Sequence, residues 1–141
     1  MGVEDGLAFF IPPNQCLLFF RDPEVAFTPE RVKKTLLEAG VIAEGEKEPF
    51  ALRWGDGPTL LYASIVRGEV AAVLAGRLLG RSRKYRKLAA ASDAYIEITF
   101  ESLDEVLDEI NTLIVVQAAL QQATGGLLYR SWNQSFSGPD E

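Results

Sequence analysis

The chain has 141 residues, 48% of them hydrophobic and 24% charged, with 14 basic against 20 acidic side chains for a net charge of −6. Such a length suits one ordinary domain that buries roughly two thirds of the surface its unfolded form exposes, and the composition excludes a disordered or fibrous chain. A single cysteine and no histidine exclude an intramolecular disulfide and histidine-based catalytic pairs, and remove the favoured ligands of zinc.

The first residues carry Glu4 and Asp5 where a secretory leader needs bases, and the apolar run 7–11 stops at Pro12 and Pro13, so neither secretion nor membrane insertion is expected. That run is available as an edge strand. Residues 16–20, CLLFF, form a short apolar run with turn chemistry on both sides, Pro13 and Asn14 before and Asp22 and Pro23 after, which reads as a buried strand. Thr28 then offers an N-cap, Pro29 is preset for the first helical position and Gly40 can end the helix, with Val32, Leu36 and Leu37 as its buried stripe. An acidic loop at 44–48 leads to a strand at 50–54, the turn GDGP at 55–58 and a strand at 59–66, which together make a hairpin. A second helix over 69–79 places Val70, Val73, Leu74, Leu78 and small alanines on a packed face and stops near Gly80.

Beyond the basic stretch GRSRKYRK at 80–87, residues 88–91 suit a short helix. Residues 94–100 alternate, with Ile96, Ile98 and Phe100 on one side, and predict a strand with a single buried face. Ser102 and Glu105 fit the capping box of a long helix that runs to Gly125; apolar nearly all round over 113–116, its second half is expected in the core. A last strand over 127–132 precedes a polar tail, 135–141, expected to fray. The fold class is α+β in one domain over 1–141. Its first six elements match a ferredoxin-like βαββαβ core, extended by a C-terminal helix and strand, in a mixed sheet covered on one face by helices.

The run 119–129, ALQQATGGLLY, is an apolar helix that ends in Thr124, Gly125 and Gly126 and enters a strand. It resembles the C-terminal half of some uncharacterised bacterial α/β domains, among them suspected immunity proteins that bind and silence a toxin. The resemblance implies a bacterial protein that works by binding another protein, and the single cysteine makes a reducing cytoplasm the expected location. A helix C-cap followed by a close turn uses the same three residues.

Candidate chemistry is sparse. Phosphate-binding glycine motifs are absent from the sequence, and Cys16, inside a predicted buried strand, reads as a small hydrophobe. Asp104 with Asp108, and Glu105 with Glu109, stand one turn apart at a helix start, where a divalent cation is conceivable but the helix dipole already favours acids. No catalytic residue, metal or cofactor is assigned. The strongest signal is basic: Arg77, Arg81, Arg83, Lys84, Arg86 and Lys87 are six of the fourteen cations, within eleven positions that hold no acid, and the remainder of the chain balances at −12. These six are the candidate partner- or anion-binding residues. The alternative is a solvated helix-end cover, since cations suit the helix C-terminus at Arg77 and Arg81. Nucleic acid is disfavoured because the acidic remainder repels phosphates beyond the patch. Trp54, Tyr129 and Trp132 form a possible aromatic interface. The expected function is a non-catalytic, cytoplasmic protein-interaction module that binds a protein partner or itself, away from membranes. The alternative is a binder of a small anion or nucleic acid through residues 77–87, and a third reading is an enzyme using carboxylate or tyrosine chemistry.

Overall fold

A strand made of consecutive apolar residues is stable only when both its faces are covered. β1 (Gln15–Phe20) meets that demand: its residues 16–20 are each at most 2% exposed. The computed structural model of the chain describes residues 14–21, 28–54, 59, 61–79, 83–101, 104 and 110–138. After β1, the Thr28 side chain accepts a hydrogen bond from the Arg31 backbone N–H at 3.3 Å and starts α1 (Pro29–Glu38). Gly40, at φ 91°, turns the chain out of that helix into β2 (Val41–Glu44). β3 (Phe50–Trp54) and β4 (Leu61–Arg67) follow as the expected antiparallel pair. Next come α2 (Glu69–Leu79), α3 (Arg86–Ala91), β5 (Ala94–Thr99), α4 (Ile110–Thr124), β6 (Leu127–Arg130) and β7 (Ser135–Ser137).

These strands form one seven-stranded sheet in the order β2-β3-β4-β5-β1-β6-β7, and every neighbouring pair is antiparallel. The fold is α+β. Its sheet is larger than the ferredoxin-like core suggested by the order of elements, and antiparallel where a mixed sheet was expected. Helices also lie on both faces rather than one, because β1 alternates two complete sets of apolar side chains. Cys16, Leu18 and Phe20 pack with Ile96, Ile98, Leu52 and Leu61 beneath Val32 and Leu36 of α1 and Leu113, Val116 and Leu120 of α4. Leu17 and Phe19 pack on the other side with Tyr95, Leu127 and Tyr129 against Ala71 and Ala75 of α2 and Ala89 of α3. Each large side chain so buried contributes about 1.5–3 kcal/mol.

Two strands differ from expectation. β2 occupies residues 41–43, for which no element was expected, and Glu44, expected in the acidic loop, and it exists because Val41 to Glu44 pair along β3. β7 arises within the stretch expected to fray. Arg130 Nη1 donates to Ser137 Oγ at 2.8 Å, and Gln121 Nε2 of α4 donates to the Ser137 carbonyl at 2.8 Å, so side chains from two other elements hold it. The strand expected at 127–132 ends at Arg130 and turns over 131–134. Of the expected apolar stripes, Val32 and Leu36 are buried while Leu37 is 63% exposed; likewise Leu113 and Val116 are buried while Ile114 is 51% exposed. The apolar run 7–11, the 55–58 turn and the capping pair Ser102 and Glu105 lie outside the described residues.

The Thr124-Gly125-Gly126 sequence closes α4. Thr124 Oγ1 donates to the Leu120 carbonyl at 2.8 Å and accepts from the Gly126 N–H at 3.1 Å, and Gly125 takes φ 64°. This is C-cap geometry followed by a close turn into β6.

Candidate functional site

α2 is apolar over most of its circumference, so composition alone does not orient it. Ala71 and Ala75 are fully buried against the sheet, with Leu74 and Leu78 partly buried beside them. Small side chains let the helix axis approach the strands closely, and the β-branched residues are then turned away. Val70 and Val73, expected in the packed stripe, are instead 68% and 47% exposed. At 3.6 residues per turn, Val70, Val73 and Arg77 fall within an arc of about 60° on the outward side.

α3 packs beside α2 on the same sheet face, which turns the outer surfaces of both helices the same way. It is anchored by Tyr85 and Ala89, 8% and 2% exposed. The Tyr85 ring sits 5.9 Å from Phe136, which in turn lies 4.9 Å from Tyr129. Tyr85 is therefore a core anchor. With that ring directed inward, Arg83, Lys84, Arg86 and Lys87 are all exposed, Lys84 Nζ lying 5.4 Å from the Tyr85 ring centre. Arg77 is exposed in the last turn of α2, and Arg81 lies outside the described residues. Five of the six sequence candidates thus lie on or beside one helical layer, whose α2 also exposes two valines that the sequence pattern had assigned to the core; the Gly68 N–H donates to the Asp93 carbonyl at 2.9 Å, which sets the start of α2 by the end of α3 and so places valines and cations toward opposite ends of the layer.

The helix dipole explains only part of this. Arg77 stands at a helix C-terminus, where a cation is favourable. Arg86 and Lys87 instead begin α3, in a first turn without an acid and behind a cap residue, Tyr85, whose side chain makes no capping bond. Cations at that end oppose the dipole by some tenths of a kcal/mol. A helix-end cover accounts for Arg77 but not for the cations that follow.

The other candidates are placed differently. Tyr129 is 6% exposed, and burial raises its phenol pKa above the ordinary value. Trp132 is half-buried and meets Phe100 edge-on at 5.6 Å, packed against the larger core. Both rings therefore contribute mainly to the interior; Trp54 ends β3, opposite Val41 of β2. Cys16 is fully buried, with Gln117 Nε2 donating to its Sγ at 3.5 Å, and burial pushes its thiol up to about 12. A thiol so placed stays protonated and unreactive. Glu101 and Asp104 are exposed, whereas Glu105, Asp108 and Glu109 lie outside the described residues. Among the described residues, no three acidic or cysteine side chains converge as a metal site would require. No described helix is long and apolar enough to cross a membrane. A groove of about 500 Å³ between α1 and α4 is lined by Thr35, Glu38, Ala39, Ala119, Gln122 and Ala123, so it offers one carboxylate and no second titratable group.

No family model matches the chain, and no curated protein or solved structure is significantly similar to it.

Proposed function

We propose that this chain is a non-catalytic, cytoplasmic protein-binding module whose contact surface is the outer side of the α2–α3 layer. The supporting observation is that this one layer exposes Val70 and Val73 toward one end and Arg83, Lys84, Arg86 and Lys87 toward the other, in a chain whose remaining charge is −12. Exposed apolar side chains rimmed by charge favour association with another macromolecule. The likeness of residues 119–129 to suspected immunity proteins points in the same direction. The absence of histidine and the protonated, buried Cys16 support a role without chemistry of its own.

A second reading uses the same cations for a small anionic ligand, and is favoured by their position against the α3 dipole. The two are separated by reversing Arg83, Lys84, Arg86 and Lys87 to glutamate and comparing proteins that co-purify with each form from the native host. The reading expects a protein retained by the parent chain and lost from the reversed one, with stability nearly unchanged because exposed ion pairs contribute about 0–1 kcal/mol each. An identical set of co-purifying proteins with both forms would refute it.

A further inference from the structure

Resting on that reading, we infer that the α2–α3 surface receives an acidic amphipathic helix from the partner protein. Charge selects an acidic occupant. Six of the fourteen cations fall in residues 77–87, and the rest of the chain holds eight cations and twenty acids. An extended polyanion such as a nucleic-acid duplex or an anionic bilayer reaches past the patch and meets that acidic remainder, whereas a compact acidic segment does not. The valines select an apolar face. Phosphates and sugars leave Val70 and Val73 in water, at 68% and 47% exposure, while a leucine-bearing helix covers them.

Helical form follows from the shape of the receiving surface. α2 is 11 residues long, about 16 Å, and Val70 and Val73 stand about one turn apart as a short ridge near its start, behind the exposed Glu69. Ridges of this kind accept the grooves of another helix, and an occupant of about three turns spans the layer. Its leucines, three or four residues apart, lie on the valines. Its glutamates, at the end of the layer where α2 stops and α3 begins, meet Arg83, Arg86 and Lys87.

The test uses the full chain and four fluorescent synthetic peptides of about three to four turns: a Leu/Glu amphipathic helix, the same composition scrambled, a Leu/Lys amphipathic helix and an all-polar Glu/Gln helix. Anisotropy is read at about 50 and about 300 mM salt. The Leu/Glu helix is expected to bind at least about tenfold tighter than the scrambled and all-polar peptides, with the Leu/Lys helix weakest. Val70→Ser/Val73→Ser and the fourfold charge reversal should each weaken it by about tenfold or more, and only the charge-dependent part should respond to salt. Both variants alter exposed positions, and circular dichroism confirms that they fold. Equal binding of the amphipathic and scrambled peptides overturns the inference. So does tighter binding to a DNA duplex or to phosphatidylserine vesicles, or self-association of the chain that Val70→Ser/Val73→Ser abolishes. If a host protein is lost on charge reversal yet retained by Val70→Ser/Val73→Ser, the helix inference fails while the protein-binding reading stands. If neither variant changes the host proteins retained, the reading itself fails.

Discussion

A methyl group added at Gly126 has nowhere to go. The Cβ of Gly126→Ala would fall well inside contact distance of the Phe19 carbonyl oxygen, and 3.0 and 3.2 Å from Thr124 Oγ1 and Leu18 Cδ1. Phe19 is held in β1 between β5 and β6, opposite Tyr95 on one side and Leu127 on the other, so its carbonyl cannot move without disturbing two ladders. Thr124 is no freer, because its hydroxyl already bonds both the Leu120 carbonyl and the Gly126 N–H. Overpacking against a flexible side chain costs about 1–3 kcal/mol, and an immovable backbone puts this case at the top of that range, about 3 kcal/mol. Gly76→Ala supplies the contrast. It lies inside α2 with no atom within 4 Å of its added methyl group, and should gain about 0.5–1 kcal/mol from helix propensity. Urea unfolding followed by circular dichroism, with a slope of about 2 kcal/mol per molar, should lower the midpoint by about 1.5 M for Gly126→Ala and raise it by about 0.4 M for Gly76→Ala. A Gly126→Ala midpoint within about 0.25 M of the parent would refute the close approach of α4's C-terminal turn to β1.

Leu113→Ala should cost about 2–5 kcal/mol and Ile114→Ala under about 1 kcal/mol, since only the first is fully buried; equal losses in urea unfolding would contradict the orientation of α4. The Cys16 thiol, raised from 9.0 to about 12, keeps its proton in both folded and unfolded chains below pH 9, after which the unfolded chain ionises first. Stability should therefore fall as pH rises from about 9 towards 12, Tyr95 and Tyr129 adding to the loss above 10.0, and Cys16→Ala should flatten the first part of that decline in urea midpoints. Native Cys16 should also react with a disulfide reagent no faster than the chain unfolds, and rapid labelling of the folded protein would show the thiol to be accessible. Gln121→Ala removes the donor to the Gly126 and Ser137 carbonyls, so the amides of β7 should exchange at least about tenfold faster while global stability falls by about 1–2 kcal/mol; unchanged exchange would mean that Arg130 and the β6 ladder hold β7 without Gln121.

Elements whose causes are local were legible in the sequence. Thr28 and Pro29 start α1 because a cap needs only its own next turn, and the alternation at 94–100 marks β5 as a strand, although its expected single buried face is two, since Tyr95 is buried in the second layer opposite Ile96 and Ile98. The glycines after Thr124 end α4 for the same kind of reason. Part of the candidate site was legible too, since Arg83, Lys84, Arg86 and Lys87 cluster in sequence and neither α3 nor the turn before it covers them. Tertiary structure decided the rest. β2 is a strand because β3 lies beside it, and β7 because Arg130 and Gln121 reach it. The second helical layer exists because the sheet places Tyr95 and Tyr129 beside Leu17 and Phe19 on one side of β1. Most decisive for the site is the orientation of α2. Alanine and valine are both apolar, so the pattern over 70–75 specifies a helix without specifying which side of it faces the sheet. The choice falls to packing distance: the small side chains of Ala71 and Ala75 let the helix settle onto the strands, and that contact turns Val70 and Val73 outward on the same layer as the cations.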